Sequence, residues 1–171
     1  IPADALLEHF VALAGAVSLP LIIQDASGYV GKEIPLSVSR DLRDRFGADK
    51  ILFKPEASPL GPKLSQLRDA TAGRAKILEG SGGFALVDSY RRGIVGTIPG
   101  MEFLPAIVRL WKALGEGDEA TIYRLFLPLC ALALGMVAEV VRAAFSQPVL
   151  SPRKAVTRQP LSEWKPGLGE G

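Results

Sequence analysis

The sequence predicts an α/β fold in which four strands lie parallel in one sheet. Three observations carry this. Short strand-forming runs recur four times, at Leu21-Ile22-Ile23, Ile51-Leu52-Phe53, Lys76-Ile77-Leu78-Glu79 and Gly93-Ile94-Val95-Gly96-Thr97-Ile98. Each is followed by a stretch with helical periodicity, and Gly or Pro stands between the two. Strand and helix alternating in this way is the signature of βαβ units.

The elements follow in order. From Asp4 to Val17, residues Leu6, Leu7, Phe10, Val11, Leu13 and Ala14 recur at helical spacing, while Asp4, Glu8 and His9 hold the other side. Pro20 then introduces Leu21-Ile22-Ile23, a run of the kind buried in parallel sheets, which ends in Gln24-Asp25. After a loop over 26–31, Pro35 to Phe46 reads as a helix closed by Gly47. The second strand ends in Lys54, and Pro55 stops it. Pro62 suits the first turn of a helix running through Ala70 to Gly73. The third strand, Lys76 to Glu79, opens into Gly80-Ser81-Gly82-Gly83 ahead of a helix from Phe84 to Arg92. Gly93 to Ile98 is the fourth strand, and Glu102 to Leu114 the helix after it. Asp118 caps a longer helix from Glu119 to about Phe145, with kinks expected at Pro128 and Gly135. Residues 146–171 are rich in Pro, Gly and polar residues and read as an irregular tail. The organisation expected is therefore 1–115 for the βα units, 116–145 for a helical extension and 146–171 for the tail.

Composition narrows the function. The chain has 171 residues, 48% of them apolar and 22% charged, as expected of one globular domain. A formal net charge of +2, from 20 basic and 18 acidic residues spread along the chain, leaves no footprint for nucleic acid. The longest apolar run, Leu125 to Val141, is broken by Pro128, Gly135 and Glu139, so no membrane span is expected. Cys130 and His9 are each the single residue of their kind, so no internal disulfide and no metal site is expected. A small-molecule ligand and a reducing, cytoplasmic setting fit these features.

The candidate site lies at the carboxyl ends of the strands, where parallel α/β folds bind ligands. Three polar clusters end three successive strands: Gln24-Asp25, Lys54, and Glu79-Gly80-Ser81-Gly82-Gly83. Together they are expected to ring one mouth. A lysine held there and partly stripped of water is able to lose its proton and attack a carbonyl, forming a Schiff base; the alternative is a solvated lysine capping a strand. The glycine cluster reads either as an anion cradle or as close packing at a strand-to-helix junction. No Walker lysine and no GxGxxG spacing accompanies it, which argues against a nucleotide loop.

Four segments, Leu19-Pro20-Leu21-Ile22-Ile23, Phe53-Lys54-Pro55-Glu56-Ala57-Ser58, Leu78-Glu79-Gly80 and Gly93-Ile94-Val95-Gly96-Thr97-Ile98, resemble in order and spacing the last four barrel strands of the dihydrodipicolinate synthase and N-acetylneuraminate lyase family of class I aldolases. The resemblance covers roughly Ile1 to Cys130. It implies a partial (βα)8 TIM barrel, its last four βα units, with a helical extension. It also implies a lyase in which Lys54 forms a Schiff base with a 2-oxo acid, without cofactor or metal, and in which Gly80 and Ile98 offer backbone groups to the substrate. Most members carry a proton-relaying tyrosine where this chain has Gln24, and an amide does not do that work. The Gln24-Asp25 pair is similar to an uncharacterised branch of the superfamily. Asp25 is then either a substitute base or a structural loop residue.

Three functional readings follow. The first is a Schiff-base lyase or aldolase acting on a 2-oxo acid, with dehydration of a 2-keto-3-deoxy sugar acid as a variant. The second is a non-catalytic half-barrel or binding module, incomplete without a homo-oligomeric partner or a further half. The third is a phosphate-binding α/β protein using the loop Gly80–Gly83.

Overall fold

The computed structural model describes residues 1–27 and 31–146, with the backbone alone for 136–146. Helix α1 (Ala3–Ala16) comes first, followed by β1 (Leu21–Asp25), α2 (Leu36–Phe46), β2 (Ile51–Pro55), α3 (Leu60–Ala70), β3 (Lys76–Glu79), α4 (Leu86–Arg91), β4 (Gly96–Thr97), α5 (Leu104–Glu116) and α6 (Glu119–Ser146). One compact unit, Ile1–Gly135, contains all four strands, and a second begins at Met136.

The sheet is parallel throughout, in the sequential order β1-β2-β3-β4. Its register places Gln24 beside Lys54, Phe53 beside Ile77, and Leu78 beside Gly96. The two faces differ sharply. Ile23, Ile51, Phe53 and Ile77 are buried and join Val38 and Leu42 of α2, Leu64 and Leu67 of α3, Leu86 and Val87 near α4, and Ile107 and Leu110 of α5 in one core. On the other face, Ile22 is 48% exposed and Leu52, Lys54 and Leu78 are only half-buried. Alternation along each strand thus sends one set of side chains into the helix layer and leaves the other open. A doubly wound sheet buries both faces under helices, whereas among the described residues this sheet is covered on one face only.

Local signals set most element ends. Gly47 ends α2 at φ +79°, and Gly117 ends α5 in the left-handed conformation. Asp118 caps α6: its Oδ1 accepts the Thr121 N–H at 3.1 Å. α6 continues as one helix through Pro128 and Gly135. Two expectations need correction. The fourth strand is only Gly96–Thr97, because Gly93 turns at φ +89° and β4 pairs with β3 alone. The helix expected from Phe84 begins at Leu86, since Gly82 and Gly83, both at positive φ, hold the preceding residues in a turn. The tail expected over 146–171 lies, from residue 147 onward, outside the described residues.

Candidate active site

Lys54 occupies the fourth position of β2, an inner strand flanked by β1 and β3. Its side chain is 13% exposed and ion-paired with the Glu56 carboxylate, itself 15% exposed. Glu56 stands two residues on and shares Lys54's face because side chains alternate along an extended chain. Its position is fixed by the backbone. The Glu56 N–H donates to the Asp25 carbonyl at 2.7 Å, carrying the β1–β2 ladder one step past the strand. The second Glu56 oxygen, Oε2, accepts from Gln24 Nε2 at 2.9 Å. Gln24, Lys54 and Glu56 therefore form one polar cluster on the open face.

Gly80 closes the other side of this cluster. A Cβ placed on it would lie 2.6 Å from Lys54 Cε and 2.7 Å from Glu56 Oε1, so the backbone reaches the pair only because residue 80 has no side chain. A cavity of about 330 Å³ opens on the Glu56 side of the pair, lined by Glu56, Ser58, Leu60, Gly80, Ser81 and Phe84 among others but not by Lys54. That volume falls at the lower end of the range for small-molecule sites.

The expected ring of three polar clusters is only partly realised, and strand alternation explains why. Asp25 and Glu79 fall on the opposite face from Gln24 and Lys54. Asp25 spends its carboxylate on the Ser27 N–H (2.9 Å) and the Ile34 N–H (3.3 Å), which ties down the loop after β1. It does not join the Lys54 cluster. Glu79 is fully buried; it accepts from Thr97 Oγ1 at 2.9 Å and from the Ser81 N–H at 2.5 Å. Its role is to anchor the loop after β3 and to clasp β4. Ile98 follows β4, and its N–H is already donated to the Glu79 carbonyl at 2.7 Å.

The loop Gly80–Gly83 is shaped in part by packing. A Cβ on Gly83, at φ +102°, would stand 2.7 Å from Leu129 Cδ2 and 3.2 Å from Ile107 Cγ1, so this glycine serves the close approach of the loop to α5 and α6. α4 has only six residues, too few to present a strong dipole to an anion. Among the described residues no group of three or more His, Cys, Asp or Glu side chains is arranged to hold a metal ion, and no helix is long and apolar enough to cross a membrane.

No protein-family model and no curated protein matches the sequence. Solved structures match its shape. The 4-hydroxy-tetrahydrodipicolinate synthase of Methylacidiphilum fumariolicum superposes with a TM-score of 0.70 at 20% identity, covering 91% of this chain and 54% of that one. The dihydrodipicolinate synthase of Aquifex aeolicus gives 0.67 at 20% identity, covering 88% and 48%. A prophage protein of the dihydrodipicolinic acid synthase family from E. coli K12, solved in complex with pyruvate, gives 0.65 at 20% identity, covering 75% and 44%. The chain has a dihydrodipicolinate synthase-type fold. It spans about half the length of each of these proteins.

Within this fold, the residue that sequence reasoning passed over is Glu56. It stood in the segment that carried the resemblance and was given no role. The signal was present in the spacing, because an i, i+2 pair at a strand's end shares a face. What the spacing leaves open is whether the chain stays extended through Pro55, and the pairing of Pro55 with Asp25 answers that.

Proposed function

We propose that the chain is a Schiff-base lyase of the class I aldolase type acting on a 2-oxo acid, with Lys54 as nucleophile, and that β1–β4 are the last four strands of a (βα)8 barrel whose interior is the open face. The observation that carries this is the Lys54 amine itself. It is mostly withdrawn from water at the carboxyl end of an inner parallel strand, held by a carboxylate, and closely approached on one side by the Gly80 backbone. Neutral amine attacks the ketone, and the protonated imine then acts as the electron sink for carbon–carbon cleavage or dehydration. Gln24 hydrogen-bonds within the site without transferring a proton, and the Ile98 carbonyl faces the bound acid. Pyruvate bound to a structural neighbour supports the substrate class.

Reduction with borohydride in the presence of pyruvate is the direct test. Peptide mapping is expected to place the adduct on Lys54, and Lys54→Arg to abolish it while the fold survives, because a guanidinium keeps its charge but not a deprotonatable amine. Turnover should then fall by at least ~10³-fold. An adduct elsewhere, or undiminished turnover in Lys54→Arg, would sink the assignment.

The open face favours a second reading, in which the chain is a binding module that functions only against a further half or a second copy. Ile22 and Ile98 are each at least 40% exposed, an apolar display that isolated domains usually cover. Full trapping of Lys54 by the chain alone would set this reading aside.

A further inference from the structure

We infer that Glu56 is the proton carrier for imine formation at Lys54, and that Gln24 is the positioning residue that aims it. The inference rests on Lys54 being the nucleophile. It begins from what surrounds the amine. One Glu56 oxygen holds Lys54 Nζ and the other is held by Gln24 Nε2 at 2.9 Å, so both ends of the carboxylate are fixed and its rotamer is locked. The Glu56 backbone is tied to β1 through the Asp25 carbonyl. No other titratable side chain lines the 330 Å³ cavity among the described residues.

The alternatives among the described residues are occupied elsewhere. Asp25 is turned to the helix layer and bonded to two backbone N–H groups. Tyr90 packs edge-on against Trp111, with ring centroids 5.1 Å apart, and Tyr123 meets Arg91. Glu79 is sealed beneath the loop after β3.

The chemistry balances with Glu56 alone. Its carboxylate takes one proton from the Lys54 ammonium, and the freed amine forms a nitrogen–carbon bond to the ketone carbon. The resulting alkoxide takes a second proton from that nitrogen, giving a neutral carbinolamine. Glu56 returns its proton to the hydroxyl, the carbon–oxygen bond breaks, water leaves, and the protonated imine remains beside a carboxylate restored to its starting state. Gln24 donates its amide hydrogen throughout and exchanges none, which suits an aiming role.

Single-turnover trapping of the full chain with pyruvate and cyanoborohydride, across pH 5 to 9, tests this. Glu56→Gln is expected to reach the same Lys54 adduct about 10²-fold more slowly, the size usual for loss of a general acid–base group. Glu56→Asp should be slowed less and keep the parental pH profile. Added acetate should speed trapping in Glu56→Ala but not in the parent, a response that a purely structural role would not give. Gln24→Leu should slow trapping while leaving the pH profile in place. Trapping of Glu56→Gln at the parental rate, or slowing in Glu56→Ala that acetate does not relieve, overturns the role of Glu56 and leaves Lys54 as nucleophile. Absence of any Lys54 adduct in the parent overturns the nucleophile, and this inference falls with it.

Discussion

At the scale of single residues, the site is built by alternation and by one missing side chain. Lys54 and Glu56 meet because the chain stays extended through Pro55, and Gly80 lets the next loop close on them. The atoms that a Gly80→Ala methyl would strike are the far ends of flexible side chains, so they are able to swing aside. Folding should therefore change little. The swing displaces the amine by an ångström or so, and misplacement on that scale costs about 10²-fold in rate. Thermal denaturation and imine trapping on the same variant separate the two effects. An unfolded Gly80→Ala protein would show that the loop, rather than the pair, is what residue 80 protects.

At the scale of elements, the short strand β4 is held by side chains as much as by its ladder. The half-buried Thr97 Oγ1 shares its one hydrogen between the carbonyl (3.1 Å) and the carboxyl oxygen Oε2 (2.9 Å) of the fully buried Glu79. Thr97→Val keeps the shape and removes the donor, which should cost about 2 kcal/mol, the worth of a hydrogen bond to a charged group. Urea denaturation measures it. A second element-level prediction concerns acid. Hydrogen bonds from Thr121, with a smaller contribution from the Arg124 charge, hold the Asp118 carboxyl below the ordinary carboxylate value of 3.8. A carboxyl whose pKa is lowered by folding stabilises the native state above its unfolded value, and this is lost as pH falls through the folded one. Parent stability should therefore decline below about pH 4 more steeply than that of Asp118→Asn, an uncharged cap. Equal acid limbs would show that the cap's charge contributes nothing to α6.

At the scale of the whole molecule, the helices described cover one face of the sheet and leave the other open. The outer edges of β1 and β4 are also unpaired within the sheet. Exposed strand edges and apolar faces drive association. The chain on its own is expected to sediment as a dimer or larger species at micromolar concentration, and Ile22→Glu, which charges the open face without touching the core, to shift it toward monomer. A parent that sediments as a monomer at all concentrations would show that this face is stable in water.

The sequence by itself determined the order of the elements and the identity of the nucleophile candidate. Apolar runs, Pro and Gly punctuation and the lysine at the end of Ile51-Leu52-Phe53 are local features, and locally encoded structure is written in adjacent residues. It placed β3 over Lys76–Glu79 to the residue. Only the tertiary structure decided which polar residues share a site. Gln24 and Asp25 are neighbours in sequence, yet one joins Lys54 and the other braces a loop, because successive strand residues point to opposite sides of a sheet. The shortness of β4, the burial of Glu79 and the closeness of Gly80 to the amine likewise depend on what lies across the sheet. Register and packing between distant segments set these, and no run of adjacent residues records them.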